Sequence, residues 1–416
     1  MIKTLHPSEI RGEIIAPSSK SETQRAIAAA LLAHGETFIK NPSYCNDSLA
    51  AMEMAKVLGA SVVQVDSSIM IKGRNQTPGN VVLNCGESGL AMRMFSPIAS
   101  LISDKCTLTG QGSLLKRPVN MVTDALSKLG VAAESTDGFL PVTLNGTLKG
   151  GKIEIEGSKS SQLLTGLLMS LPLVEADSEV LVINLKSKPY IDLTIQVLNT
   201  FGINVKNEEF ERFIIPGRQK YNACEYSVEG DWSGAAFLLV AGAIDGYVTV
   251  KNLNPATKQA DIAILSALKL AEANISVDGN EVTSTKSELR PFVFDATESP
   301  DLFPPLAALA VYCNGTSSIR GVSRLEYKES DRAITIMNVL GRMGIKTYIQ
   351  DDDLVIESGK VREAIVSSHN DHRIAMMAAV TALGASGNVT ITEAKSVEKS
   401  YPGFFEDLRK LNITIS

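Results

Sequence analysis

A chain of 416 residues with 44% hydrophobic content has material for more than one packed core, and at this size two domains are the expectation. The formal net charge of −6 sets up no global positive field, which argues against nucleic acid as a partner and requires any anionic ligand to be held by locally gathered cations. A lysine, a histidine and a proline interrupt residues 1–7 where a signal peptide would be apolar, and no later apolar run approaches about 18 residues, so neither export nor a membrane span is expected.

The elements recur in chain order as one unit repeated about every 70 residues. After a first strand within residues 3–16, a small-residue-rich helix begins near Ser21, followed by the strand E-T-F-I-K-N, an amphipathic helix from Asp47 and the hairpin V-D-S-S-I-M-I-K-G. The next copies place the apolar helix near Ser88 and Ser161, the strands C-T-L-T-G and E-V-L-V-I-N after them, and amphipathic helices from Val119 and Tyr190. V-E-G-D at residues 228–231 opens a fourth copy, with helices from Trp232 and Ala260 around the strand Y-V-T-V-K-N. The fifth runs from Pro300 through S-S-I-R-G to a helix at Arg332 and the hairpin Q-D-D-D-L-V-I, and the sixth from His372 through N-V-T-I-T to a helix at Tyr401. Apolar residues at helical spacing, a glycine or small residue at each stop, and β-branched residues in each strand give the pattern its physical basis. Six such units group as three plus three, an α/β chain of two domains: residues 17–228, and residues 1–16 plus 229–416.

The starts of these helices carry the functional signal. A helix N-terminus offers free N–H groups and partial positive charge, so it attracts anions and disfavours cations. Serine, aspartate and asparagine there are explained by capping. Lysine and arginine are not, yet Lys116-Arg117-Pro118, Lys186-Ser187-Lys188, Lys328 to Arg332 and Lys399 stand at the entry to the amphipathic helices. Arg25 and Arg93 lie one turn inside apolar helices, where a buried guanidinium calls for an anion. The ligand should therefore be strongly anionic, with more than one charged group. Among the cations stand Glu87, Asp301, Glu329 and Asp371, candidates for holding them in place or for acid–base work. No G-x-S-x-G and no G-x-x-x-x-G-K-S/T is present, so serine-hydrolase and P-loop readings have no anchor. Five scattered cysteines without a C-x-x-C pair suggest free thiols in a reducing cytoplasm, and His369 with His372 lacks a further ligand, so no metal or other cofactor is expected.

The motifs P-S-S-K-S-E-T-Q-R from Pro17, G-E-S-G-L-A-M-R from Gly86, L-K-R-P from Leu115, S-K-S-S-Q from Ser158, S-K-P-Y-I-D from Ser187, E-G-D from Glu229, K-E-S-D-R from Lys328, N-D-H-R from Asn370 and K-S-Y-P from Lys399 stand in one order from end to end. Together they resemble the 3-phosphoshikimate carboxyvinyltransferases. The resemblance implies two domains, each of three βαβαββ units around a pseudo-threefold axis, closing on substrate in the cleft between them. It implies a monomeric enzyme of aromatic amino-acid biosynthesis and a target of glyphosate, acting on shikimate 3-phosphate and phosphoenolpyruvate through a tetrahedral intermediate, with no membrane or nucleic-acid partner. By position, Lys20, Ser21, Arg25, Ser160, Ser161, Gln162, Ser187, Tyr190, Asp301 and Lys328 match holders of shikimate 3-phosphate. Lys20, Gly89, Arg117, Gln162, Arg332, Arg373 and Lys399 match the phosphoenolpyruvate cradle. Lys20, Asp301, Glu329 and Lys399 match the groups that move protons: Asp301 at the 5-hydroxyl, Glu329 at the methylene carbon.

Four positions depart from the family pattern: Leu90 stands in place of a common threonine, Met94 of a proline, Glu87 of an asparagine and Glu326 of an arginine. The related UDP-N-acetylglucosamine enolpyruvyl transferases place a reactive cysteine in the loop around Lys116 and a lysine-asparagine pair near the start, whereas this chain has no cysteine there and reads Lys20-Ser21. A non-catalytic binder of a phosphorylated metabolite would have no need of Lys20, Asp301 and Glu329 together.

Overall fold

The computed structural model describes residues 1–74, 78–326 and 328–416. The chain forms two compact units, one made of Ser18–Val228 and the other of Met1–Pro17 with Glu229–Ser416; they are called here the inserted and the discontinuous unit.

The described α-helices come in pairs along the chain: α1 (Lys20–Leu32) with α2 (Asn46–Val57), α3 (Gly89–Ile102) with α4 (Asn120–Lys128), and α5 (Gln162–Ser170) with α6 (Lys188–Thr200) in the inserted unit. The discontinuous unit has α7 (Trp232–Ile244) with α8 (Ile264–Leu270), α9 (Phe303–Val311) with α10 (Arg332–Arg342), and α11 (His372–Thr381) with α12 (Phe404–Lys410). The first helix of each pair is buried almost all round. Every residue of α7, W-S-G-A-A-F-L-L-V-A-G-A-I, is buried, which only a helix apolar on all sides can sustain. The second is amphipathic. In α10 the buried positions Arg332, Ala333, Thr335, Ile336, Val339 and Leu340 form one stripe, the spacing that a helix period of 3.6 places on a single face.

Five sheets repeat one rule. An edge strand runs parallel to a central strand, which pairs antiparallel with the inner strand of a hairpin. Thus Asn80–Asn84 runs parallel to Lys105–Thr109, which pairs with Phe139–Asn145 and through it with Ala132–Thr136. The same order recurs from Lys152–Glu156, from Val293–Asp295, from Glu225–Ser227 beside Glu36–Lys40, and from Ile10–Ile15 beside Gly246–Lys251. In a further, three-stranded sheet Ala364–Ser367 runs parallel to Val389–Thr392, Lys3–Leu5 supplies the antiparallel neighbour, and Leu5 bridges Ile415.

The N-terminal segment therefore feeds two sheets of the discontinuous unit, not one. Pro7 has no N–H to give a ladder, and the two strands lie on either side of it. Three helices also begin later than the pattern predicts. Residues Pro300–Leu302 and Ala260–Ala263 form 3₁₀ turns before α9 and α8, and α12 starts at Phe404 after Pro402-Gly403. Pro304 and Pro305 sit in the first turn of α9, where the missing N–H groups have no partner to lose. Inside the core of the inserted unit, α3 crosses α5 at Gly166: a Cβ there would lie 2.6 Å from the Met94 carbonyl oxygen and 2.7 Å from Pro97. Only glycine permits that approach.

Candidate active site

In the inserted unit the helix starts gather cations and hydroxyls. Ser19 caps α1, its Oγ accepting the Glu22 N–H at 3.4 Å, so Lys20 and Ser21 open the first turn. Lys20 Nζ lies 3.1 Å from the Asp47 carboxylate in the first turn of α2. Arg25, one turn further, is 1% exposed. Its Nε donates to Thr194 Oγ1 at 3.0 Å, Nη1 to the Ser21 carbonyl at 2.8 Å, and Nη2 to Thr165 Oγ1 at 3.5 Å and the Tyr190 carbonyl at 3.4 Å. All four are neutral oxygens, and among the described residues no carboxylate comes within ion-pair distance of this guanidinium. Burial pushes its pKa down to about 10, against the opposing fields of Tyr190, Tyr226 and Glu22. The Thr165 and Thr194 hydroxyls lie 3.1 Å apart, so Arg25 ties the first turns of α1, α5 and α6 together. Ser187, the residue before α6, is held at φ 58°, a left-handed conformation that costs a non-glycine residue about 1 kcal/mol or more.

A second group surrounds the start of α3. Ser88 caps it, accepting the Ala91 N–H at 3.2 Å, and Gly89 is its first residue. A Cβ on Gly89 would stand 2.8 Å from Nη1 of both Arg93 and Arg117 and 3.5 Å from Gln162 Oε1. Arg93 Nη1 donates to Gln162 Oε1 at 2.9 Å, and Ser160 Oγ accepts the Gln162 N–H at 3.2 Å. Two guanidiniums and an amide thus converge over one bare Cα at a helix N-terminus, a geometry suited to a small multivalent anion.

In the discontinuous unit the cations are already engaged with acids. Arg332, fully buried, opens α10. Its Nε donates to Asp371 Oδ2 at 3.1 Å, Nη1 to Asp301 Oδ1 at 2.9 Å, and Nη2 to Glu329 Oε2. Burial works against its charge, but the Asp371, Glu329 and Asp301 carboxylates outweigh it and raise the pKa above the ordinary arginine value. Asp301 also receives Arg373 Nη2 at 3.1 Å and Lys328 Nζ at 3.4 Å. For Asp301 burial is the largest influence and pushes upward, yet Arg373, Lys328 and Arg332 together hold the carboxyl well below the usual range. Lys328 moves down, chiefly through burial. Asp371 anchors the group: its carboxylate accepts the Arg373 backbone N–H at 2.9 Å and Ser330 Oγ at 3.1 Å as well as Arg332. Lys399 Nζ donates to the Asn370 carbonyl at 2.6 Å. His369 is exposed at φ 51°, whereas His372 is buried, so the two side chains do not share a surroundings.

The anionic partner expected for buried cations is found around Arg332, where the protein supplies the carboxylates itself. It is not found around Arg25, where the protein supplies only neutral oxygens. Sequence patterning did not single out Asp47, Thr165 or Thr194; each reads as an ordinary helix residue, and only the first-turn position of Asp47 could have marked it. Asp261 was missed as well. It is buried, bonded to Ser233 Oγ, and burial, then the nearby Asp301 charge, pushes its carboxyl up to about 6.

A raised acid pKa means that the native state prefers the proton. The charged form therefore costs stability at neutral pH, and that cost is relieved as pH falls through about 6 toward the ordinary value of 3.8. Asp261→Asn is expected to be more stable than the parent at pH 8, with the advantage shrinking by pH 5. Thermal unfolding at the two pH values checks this; an equal difference at both would remove the titration from the explanation.

The chain is similar to known proteins over almost its whole length. The EPSP synthase (3-phosphoshikimate 1-carboxyvinyltransferase) family model matches residues 5–408. The chain is 41% identical to the 3-phosphoshikimate 1-carboxyvinyltransferase of Thermococcus kodakarensis, over 97% of this chain and 98% of that protein. It is 38% identical to the enzyme of the same name from Methanocorpusculum labreanum, over 97% of each. An EPSP synthase structure from Acinetobacter baumannii superposes with a TM-score of 0.82 at 26% identity, over 100% of this chain and 99% of that one. The enolpyruvyl transferase NikO from Streptomyces tendae shares the fold, with a TM-score of 0.78 at 18% identity over 100% and 98% of the two chains. The chain belongs to the EPSP synthase family, the 3-phosphoshikimate 1-carboxyvinyltransferases.

Proposed function

We propose that the residues above divide the family's reaction as follows. The reaction moves the carboxyvinyl group of phosphoenolpyruvate to the 5-hydroxyl of shikimate 3-phosphate and releases phosphate. Shikimate 3-phosphate is assigned to Lys20, Ser21, Arg25, Ser160, Ser161, Gln162, Ser187 and Tyr190 of the inserted unit and to Asp301 and Lys328 of the discontinuous one. Phosphoenolpyruvate is assigned to Lys20, Gly89, Arg117 and Gln162, and to Arg332, Arg373 and Lys399. The observation that carries the first assignment is Arg25, a buried cation bonded to four neutral oxygens, for which a phosphate is the chemically matched partner.

Asp301 takes the proton of the 5-hydroxyl. Three cations depress its basicity before substrate arrives. Anionic substrates draw Arg332, Arg373 and Lys328 toward themselves and add negative charge nearby, and both effects raise the Asp301 pKa toward that of a working base. Glu329, held by Arg332, delivers a proton to the methylene carbon as the tetrahedral intermediate forms; a proton returns from the resulting methyl as phosphate leaves, so that the net proton lost from the 5-hydroxyl departs with the phosphate. Lys20 and Lys399 balance charge as the tetrahedral intermediate forms and phosphate leaves. The five cysteines are free thiols, which supports a cytoplasmic setting. The chain is proposed to act as a monomer.

Arg25→Met tests the assignment. The KM for shikimate 3-phosphate should rise about 100-fold, the scale of a lost buried charge–phosphate contact, while the KM for phosphoenolpyruvate stays within a factor of three or so. The reverse pattern would assign Arg25 to the other substrate.

A further inference from the structure

The loop that opens α3 carries an acid that the roles above leave unused. Glu87 Oε2 accepts two hydrogen bonds from one residue, the backbone N–H of Ser113 at 3.0 Å and its hydroxyl at 3.2 Å. The Ser113 oxygen in turn accepts Arg117 Nη2 at 3.2 Å. A serine hydroxyl has a single proton. With that proton committed to Glu87, Ser113 Oγ turns its lone pairs to the guanidinium. The carboxylate thereby fixes the direction of the bond between Ser113 and Arg117.

The backbone around this relay is built to keep it. Gly112 has φ 54°, and a Cβ there would lie 2.4 Å from the Glu87 carboxyl carbon, so the carboxylate is seated flush against the chain. The Gln111 N–H donates to the Gly86 carbonyl at 2.7 Å, tying the start of the Gly112–Lys116 turn to the loop that holds Glu87. Two residues after Glu87 comes Gly89, whose bare Cα faces Arg117 Nη1. One side of Arg117 is therefore braced by Ser113 while the other faces the start of α3.

We propose that Glu87 is a positioning residue for phosphoenolpyruvate, orienting Ser113 and through it the Arg117 guanidinium over Gly89. This rests on the assignment of Arg117 to phosphoenolpyruvate. A carboxylate placed directly against an anion would weaken its binding; placed one hydroxyl away, it holds the cation in register. The side-chain length matters, since aspartate is one methylene short of the Ser113 hydroxyl.

Steady-state kinetics on Glu87→Ala, Glu87→Gln, Ser113→Ala, the Glu87→Ala/Ser113→Ala double variant and Arg117→Ala tests this, with Tm recorded for each. The KM for phosphoenolpyruvate should rise about tenfold in Glu87→Ala and in Ser113→Ala, the scale of one lost hydrogen bond to a charged group. The double variant should be no worse than either single one, because both remove the same relay. Glu87→Gln, whose amide oxygen can accept the same two bonds, should stay near the parent value. The KM for shikimate 3-phosphate should not move in any of the Glu87 and Ser113 variants. Additive effects, or equal losses for both substrates alongside a lowered Tm, would overturn the relay and leave Glu87 a structural residue. An unchanged KM in Glu87→Ala while Arg117→Ala raises it would overturn the relay alone. No rise in Arg117→Ala would instead refute the placement of phosphoenolpyruvate at Arg117.

Discussion

Asp301→Asn is expected to lower kcat by about 10²–10⁴, the range that a positioned general base contributes, without raising the KM for phosphoenolpyruvate. The two parts of that result have separate causes. Asparagine preserves the size of the side chain, and its one oxygen can take the place of Oδ1, which Arg332 and Lys328 bond in the parent, while Arg373 loses its Oδ2 partner and keeps the Asp301 carbonyl. It removes the negative charge that competes for them, so anionic substrate should bind as well as before or better. It also removes the group that takes the 5-hydroxyl proton, and the chemical step should suffer. Steady-state kinetics with both substrates varied separates the effects. A variant with kcat within about tenfold of the parent would take Asp301 out of proton transfer. A large rise in KM with kcat retained would make it a binding residue only.

Arg332→Met is expected to be the most destabilising single change in this network, by about 3–5 kcal/mol. The guanidinium is fully buried and is bonded to Asp371, Asp301 and Glu329. Methionine of similar volume leaves three carboxylates near one another with that charge gone, and Asp371 is itself buried. Denaturant unfolding measures the loss. The sign of the pH dependence follows from the Asp301 carboxyl, which the cations hold below its ordinary value. In the parent this contributes stability that is present above the unfolded carboxyl pKa and lost as pH falls through the lower folded value. The variant should lose the part that Arg332 supplies, with Arg373 and Lys328 still in place, and become relatively more stable at acid pH, where its carboxylates take protons. A destabilisation below about 1 kcal/mol would mean that the acids find other partners and that Arg332 is not their keystone.

Much of this architecture was legible in the chain because it is local. The six buried helices announce themselves by composition: thirteen residues from Trp232 to Ile244 contain no charge. The amphipathic helices announce themselves by spacing. What the sequence concealed is long-range pairing. Nothing in E-Y-S at Glu225–Ser227 says that it will run parallel to Glu36–Lys40, and nothing in residues 1–17 says that its two strands, parted at Pro7, will serve two sheets. Parallel pairing leaves no mark on neighbouring residues, so periodicity cannot reveal it.

The site divides the same way. Lysines and arginines at helix starts stand out because the helix dipole makes them anomalous. The groups that orient them do not. Thr165 and Thr194 occupy ordinary helix positions and become partners of Arg25 only when α1, α5 and α6 meet. Asp371 was visible as an acid beside His372-Arg373, and the structure makes it the point where Arg332, Ser330 and the α11 N-terminus join. Glu87 was visible too, but its partner Ser113 lies 26 residues away, beyond any local pattern.

The central claim is that this chain joins shikimate 3-phosphate and phosphoenolpyruvate, and the most direct measurement is phosphate release by the purified protein. Release is predicted with the two substrates together, and neither with one alone nor with phosphoenolpyruvate and UDP-N-acetylglucosamine. Release with the nucleotide sugar, or tight binding of shikimate 3-phosphate with no release under any pairing, would contradict it.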